Sequence, residues 1–129
     1  IGTAEIYRAL AALDGIEDAL IVNLDLPHER FFMPLFVKLR AGVQLDPGLV
    51  QRINTLLRKE CTPRHVPDRI IAAPSIPMTL TGKKMEVPVR RILMGMAVDK
   101  AANRNAMANP QALDFFIDYA KTQQDYALG

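Results

Sequence analysis

The run Pro74-Ser75-Ile76-Pro77-Met78-Thr79-Leu80-Thr81-Gly82 admits neither a continuous helix nor a continuous strand. Its two prolines lack backbone donors, its threonines disfavour helix, and Gly82 lets the backbone take a left-handed turn. The stretch is therefore a loop between two ordered segments, and Lys83 follows it at the tip. A lysine there is displayed rather than packed. Its ammonium, on a flexible stem, suits insertion into an anionic site such as a phosphate or carboxylate. A solvated lysine in a polar turn fits the same residues.

On either side of the loop the chain divides at its Gly and Pro residues. Thr3 is placed to cap a first helix carrying Ile6, Leu10 and Leu13 at helical spacing, with Asp14-Gly15 as its stop. Residues 17–24 and 35–40 read as strands, Leu35, Val37 and Leu39 alternating with Phe36, Lys38 and Arg40, and the polar loop around Pro27-His28-Glu29-Arg30 suits antiparallel neighbours. Asp46-Pro47 opens a second helix with a stripe of Leu49, Val50, Ile53, Leu56 and Leu57, ending near Cys61-Thr62-Pro63. A third strand over 69–73 precedes the loop, and a helix over 89–96, with Pro88 near its start, follows it. Residues 99–108 read as an exposed connector, after which Asn109-Pro110 caps a last helix bearing Leu113, Phe115, Phe116 and Tyr119. The order of helices and strands predicts mixed α and β structure around a small sheet.

With 129 residues, half of them hydrophobic, the chain can bury a core without disulfides or metal. Its one cysteine, Cys61, has no partner for an intrachain disulfide or a cysteine zinc cluster, and His28 and His65 stand far apart, so metal catalysis is not expected. No apolar run reaches membrane-spanning length and no signal peptide is present, which points to the cytoplasm. The net charge of +2 is spread over many positions and gives no support to nucleic acid binding. The opening Ile1-Gly2-Thr3-Ala4-Glu5, without an initial Met, reads as a cut from something longer.

Three segments, in order and at matching spacing, resemble the C-terminal domain of the adenylate-forming enzymes, the acyl-CoA synthetase superfamily. Ile1-Gly2-Thr3-Ala4-Glu5-Ile6 is similar to the end of the hinge-proximal loop, Arg58-Lys59-Glu60 to the segment before the second helix ends, and Pro77-x4-Gly82-Lys83 to the catalytic-lysine motif. The resemblance narrows to the acetoacetate-activating branch over Pro63-Arg64-His65-Val66-Pro67, the run from Ile76 to Val87, and Asn109-Pro110-Gln111-Ala112-Leu113-Asp114. Glu86 departs from the acetate-activating enzymes, which usually carry an arginine soon after the lysine.

The resemblance implies an α+β fold, a small sheet of the strands read above packed with helices, in which residues 1–98 form a mobile lid domain and 99–129 a connector and C-terminal helical extension. It implies that the complete enzyme joins a carboxylate to ATP as an acyl-adenylate and then transfers the acyl group to CoA. Lys83 is then the catalytic residue of the first step, supported by Thr81 and Gly82. After domain rotation Gly2, Thr3, Ala4 and Glu5 face the pantetheine of CoA and Arg58 meets its 3'-phosphate; an arginine favoured by the helix dipole is the other reading of Arg58. ATP, CoA and acetoacetate are the implied substrates, and Mg2+ is expected with ATP in the full-length enzyme, none of them held by this piece alone. The implied partner is the enzyme's own N-terminal domain, with neither nucleic acid nor membrane.

Lys84 reads as a solvated charge beside the active lysine, Arg90 and Arg91 as a solvent face, Cys61 as a half-buried thiol, and Phe31, Phe32, Phe115 and Phe116 as core. Two other functions stay open: a synthetase for another short acid such as acetate or propionate, and a non-catalytic basic module that binds nucleic acid.

Overall fold

The computed structural model of the chain describes residues 3–122 together with Asp125 and Tyr126. Helix α1 (Thr3–Leu10) leads into strand β1 (Ile16–Ile21), a hairpin of β2 (Leu24–Leu26) and β3 (Arg30–Phe32), and strand β4 (Pro34–Leu39). Helix α2 (Pro47–Glu60), strand β5 (Arg69–Ala72), helix α3 (Glu86–Leu93), the single turn α4 (Val98–Ala101) and helix α5 (Leu113–Thr122) follow. The main sheet has the order β1-β4-β5, with β1 antiparallel and β5 parallel to the central β4. The parallel pair needs a crossover, and α2 is that crossover.

Side-chain alternation along β1 and β4 divides the core into two layers. Ala19, Ile21, Leu35 and Val37 face Ile6 and Leu10 of α1 and Leu49, Ile53 and Leu57 of α2. Leu20 and Phe36 face the other way, toward Val89 and Leu93 of α3 and Leu113 and Phe116 of α5. Helices on both faces leave the central strand no polar side, so Phe36 is fully buried rather than part of a solvent-facing alternation with Lys38 and Arg40. Its ring is packed edge-on by Phe116 at 4.7 Å, Tyr119 at 5.5 Å and Phe115 at 6.3 Å. The α+β class and the antiparallel β1/β4 pair follow the sequence expectation.

Local signals place several boundaries. Asp46 caps α2 by accepting from the Leu49 amide at 2.8 Å, and Pro47 sits in the first turn, where its missing donor costs nothing. Gly15, at φ +95°, turns α1 toward β1, where an added Cβ would meet Val43 at 3.2 Å.

Other expectations need correction. Thr3 lies inside the first turn of α1, so its cap position falls outside the described residues. The strand over 17–24 breaks after Ile21 into the β2/β3 hairpin, whose tip residues His28 and Glu29 both have positive φ. Phe31, on that hairpin, is 68% exposed, unlike the other three phenylalanines expected in the core. Helix α3 starts at Glu86, which puts Pro88 within its first turn. Residues 99–108 are not an exposed connector: they hold the end of α4 and bury Ala101 and Met107.

Candidate functional site

The loop before α3 is a small hairpin. Met78 and Lys84 form an antiparallel bridge, the Thr79 amide donates to the Lys83 carbonyl at 2.9 Å, and the Gly82 amide donates to the Thr79 carbonyl at 2.9 Å. That last bond closes a four-residue turn over Thr79-Leu80-Thr81-Gly82, and Gly82 accommodates it at φ +84°. Thr79 Oγ1 accepts from the Lys83 amide at 3.0 Å and lies 3.1 Å from Thr81 Oγ1. Thr81, Gly82 and Lys83 are all exposed, and so is Leu80.

A second segment borders this hairpin on its other edge. The Leu80 amide donates to the Ala106 carbonyl and the Ala108 amide to the Met78 carbonyl, each at 3.0 Å, around an antiparallel bridge between Thr79 and Met107. The strand that precedes the lysine turn thus runs between residues 83–84 and residues 106–108. Asn109 completes the junction with its side chain. Its Oδ1 accepts from the Met78 amide at 3.0 Å, and its Nδ2 donates to Ser75 Oγ at 3.0 Å and to the Ile76 carbonyl at 2.8 Å. Asn109 therefore makes no cap bond to the following helical turn.

Lys84 is not a solvated charge. Its side chain is 23% exposed, and Nζ pairs with the Asp18 carboxylate, donates to the Ala19 carbonyl at 2.8 Å and lies 4.5 Å from the centre of the Tyr7 ring. Tyr7 in turn donates its hydroxyl to Glu86 at the start of α3 and accepts from the Ile21 amide at 3.0 Å. Burial, then the hydrogen bond to Glu86, push the Tyr7 phenol well above its ordinary range. A recess of about 200 Å³ lies beside this group, lined by Tyr7, Asp18, Ala19 and Lys84 among others.

The remaining candidates gather elsewhere. Thr3, Ala4 and Glu5 form the first turn of α1, half-buried at Thr3 and exposed at the other two; Gly2 lies outside the described residues. Glu5 is close enough to the end of α2 that its charge adds to burial in pushing the Cys61 thiol upward. Arg58 is exposed in the last turn of α2, on the wall of an open cleft of about 760 Å³ shared with Asn54, Asp68 and Arg69. Among the described residues no hydrogen bond or ion pair joins this end to the Lys83 hairpin, so the candidates form two groups. Arg90 and Arg91 are exposed, as expected.

No protein-family model matches the chain. Acetoacetyl-coenzyme A synthetase of Rhizobium meliloti (strain 1021) is 41% identical over 116 residues, covering 90% of this chain and 17% of that protein. A malonamoyl-CoA synthetase of Penicillium aethiopicum is 39% identical over 122 residues, covering 92% of this chain and 17% of its own. The solved structure of acetoacetyl-CoA synthetase from Streptomyces lividans matches with a TM-score of 0.87 at 41% identity, over 96% of this chain and 18% of that one. Over nine-tenths of its length the chain matches the C-terminal domain of acetoacetyl-CoA synthetases. It spans under a fifth of the length of these relatives.

Sequence reading singled out Lys83 and the residues of its turn. It passed over Lys84, Asp18, Tyr7 and Asn109 as polar contributors near the lysine. One signal for Tyr7 was available: it adjoins Ile6 and lies three residues before Leu10, the buried positions of α1, so a hydroxyl there needs a partner.

Proposed function

We propose that this domain supplies the catalytic lysine of an ATP-dependent, AMP-forming acetoacetyl-CoA synthetase. The observation that carries the reading is identity of 41% with an acetoacetyl-coenzyme A synthetase across 90% of the chain, including the segment that displays Lys83. In the first step a carboxylate oxygen of acetoacetate attacks the α-phosphorus of ATP, and the bond to pyrophosphate breaks as the acyl-adenylate forms. Both reacting groups are anionic. The Lys83 ammonium offsets their repulsion and holds the carboxylate in line, an electrostatic and positioning role with no covalent intermediate. In the second step the CoA thiolate attacks the acyl carbon and AMP leaves. There Gly2, Thr3, Ala4 and Glu5 line the pantetheine path and Arg58 meets the 3'-phosphate, a role that its exposure on the cleft supports.

Mg2+ accompanies the nucleotide. Among the described residues no group of three or more His, Cys, Asp or Glu side chains converges to hold a cation. Residues 1–98 act as the lid, with 99–129 as its extension.

A second reading concerns the acid. Identity of 39% with a malonamoyl-CoA synthetase shows that similar domains occur in enzymes named for different acids, so another short acid is the runner-up. A nucleic-acid module is not favoured: of the five phenylalanines on which bases could stack, four pack inward and only Phe31 is exposed.

The test is the full-length enzyme assayed with acetoacetate, acetate, propionate and malonamate for pyrophosphate release and thioester formation. Acetoacetate is expected to be preferred. Lys83→Ala is expected to lower adenylate formation by about 100- to 1,000-fold, with transfer from preformed acetoacetyl-adenylate largely kept. Unchanged adenylation in that variant would refute the lysine's role, and preference for another acid would select the second reading.

A further inference from the structure

We propose that Lys84 and Asn109 are positioning residues that lock the register of the hairpin and thereby decide which of two adjacent lysines is presented to the substrates. The inference rests on the catalytic role proposed for Lys83. Neighbouring residues of an extended strand point to opposite faces, so holding one side chain inward directs the next outward. Lys84 is held inward by the Asp18 carboxylate, the Ala19 carbonyl and the Tyr7 ring. Lys83, one residue before it, is exposed at the tip.

A one-residue slip in a hairpin exchanges its two faces. Here such a slip would turn Lys83 toward Asp18 and offer Lys84 to the solvent side, with the same charge at the wrong place. Nothing in the Lys-Lys pair itself prevents this. The hairpin is short: besides the bridge of Met78 with Lys84, its own bonds are those of Thr79 with Gly82 and Lys83 and one from the Met85 amide to the Pro77 carbonyl at 3.2 Å. These few local bonds are reinforced from outside, at both edges.

Asn109 fixes the opposite edge. Its amide is satisfied by Met78 N, Ser75 Oγ and the Ile76 carbonyl, all on the incoming arm of the hairpin. A shift of that arm by one residue would break these bonds together with the pairing of residues 106–108. Lys84 holds the outgoing arm to β1, and Asn109 holds the incoming arm to the segment before α5. With both in place the stem of Lys83 starts from a defined point, and misplacement of about 1 Å costs about 100-fold in rate when positioning is the source of catalysis.

The experiment uses the full-length enzyme without ligands for labelling and with substrates for kinetics. Brief, sparse treatment with acetic anhydride, read by mass spectrometry, is expected to modify Lys83 well ahead of Lys84 in the wild type. In Asp18→Asn and Asn109→Ala the share on Lys84 is expected to rise. Lys84→Met keeps the apolar stem over Tyr7 and removes the charge. It is expected to lower adenylate formation by about 10- to 100-fold, with transfer from preformed acetoacetyl-adenylate largely kept.

A purely structural role would lower both half-reactions together with the melting temperature, and that result would overturn the proposal. So would equal labelling of the two lysines in the wild type, or unchanged adenylation in Lys84→Met when Lys83→Ala is inactive. Failure of the wild type to activate acetoacetate, or full activity in Lys83→Ala, would instead strike the functional reading, while the labelling ratio would still test the register lock.

Discussion

The turn at Pro27–Arg30 and the turn at Thr79–Gly82 both reverse an antiparallel pair, yet they are built in opposite ways. At the first, two residues with side chains, His28 and Glu29, adopt φ of +64° and +59°. Each conformation costs about 1–2 kcal/mol for an L-residue. A bond from Arg30 Nε to the Pro27 carbonyl at 3.3 Å lies within the same turn. At the second, the positive φ belongs to a glycine, and the local bonds of Thr79 with Gly82 and Lys83 are joined by bonds from residues far along the chain. Local strain is tolerable where a hairpin only connects β1 to β4. A turn that presents one charged group at a fixed point, as proposed for Lys83, gains more from an unstrained backbone and distant anchors.

The comparison is tested most severely by removing an anchor that touches neither Lys83 nor its turn. Tyr7→Phe deletes the hydroxyl shared by Glu86 and the Ile21 amide, and is expected to destabilise the domain by about 1–2 kcal/mol in denaturant unfolding of the full-length enzyme. It also carries a pH signature. The folded state raises the Tyr7 phenol above its unfolded value near 10, so the folded state keeps a proton that the unfolded chain releases. The stabilisation is whole below about pH 10 and is lost as pH climbs through the folded value. Tyr7→Phe should flatten the alkaline fall in stability. An unchanged alkaline slope would mean that the Tyr7 anchor contributes little to the fold.

The second test compares the glycine with its neighbours. Nothing lies within 4 Å of a Cβ built on Gly82, so Gly82→Ala meets no steric obstacle. Only the left-handed backbone is penalised, by about 1 kcal/mol. The substitution should lower adenylate formation more than thioester transfer, because the turn relaxes next to Lys83. A loss of several kcal/mol would show that the turn is pressed by groups from outside, contrary to the open space around it.

How far these features can be read in the sequence depends on how far each signal travels along the chain. Asp46-Pro47 opens α2 through atoms three residues apart, and Gly82 bends its turn by its own lack of a side chain, so both are legible locally. Lys84 and Asn109 are not. Lys84 reaches Ala19 across 65 positions and Asn109 reaches Met78 across 31, and nothing next to either residue signals a partner. Asn109-Pro110 even carries a cap signal, which fails because the amide is already engaged across the domain. The polar turn at Pro27-His28-Glu29-Arg30 is legible, but β2 and β3 beside it are not, because strands of three residues carry too little alternation to read. Phe36 was misplaced because alternation assumes one wet face, and the packing of α3 and α5 removes it.

The smallest effect belongs to the strained turn itself. His28→Gly relieves a left-handed residue with a side chain, a gain of about 1 kcal/mol in the folded state, and at the same time loosens the unfolded chain, which takes back most of it. The net change should stay within about 0.5 kcal/mol, and both half-reactions should be unchanged, since His28 is exposed and belongs to neither group of candidate residues. A large stabilisation would mean that the strain at His28 is not relaxed by its neighbours. A selective loss of one half-reaction would show that the hairpin tip meets the rest of the enzyme during catalysis, and would erase the distinction between a turn that connects and a turn that presents.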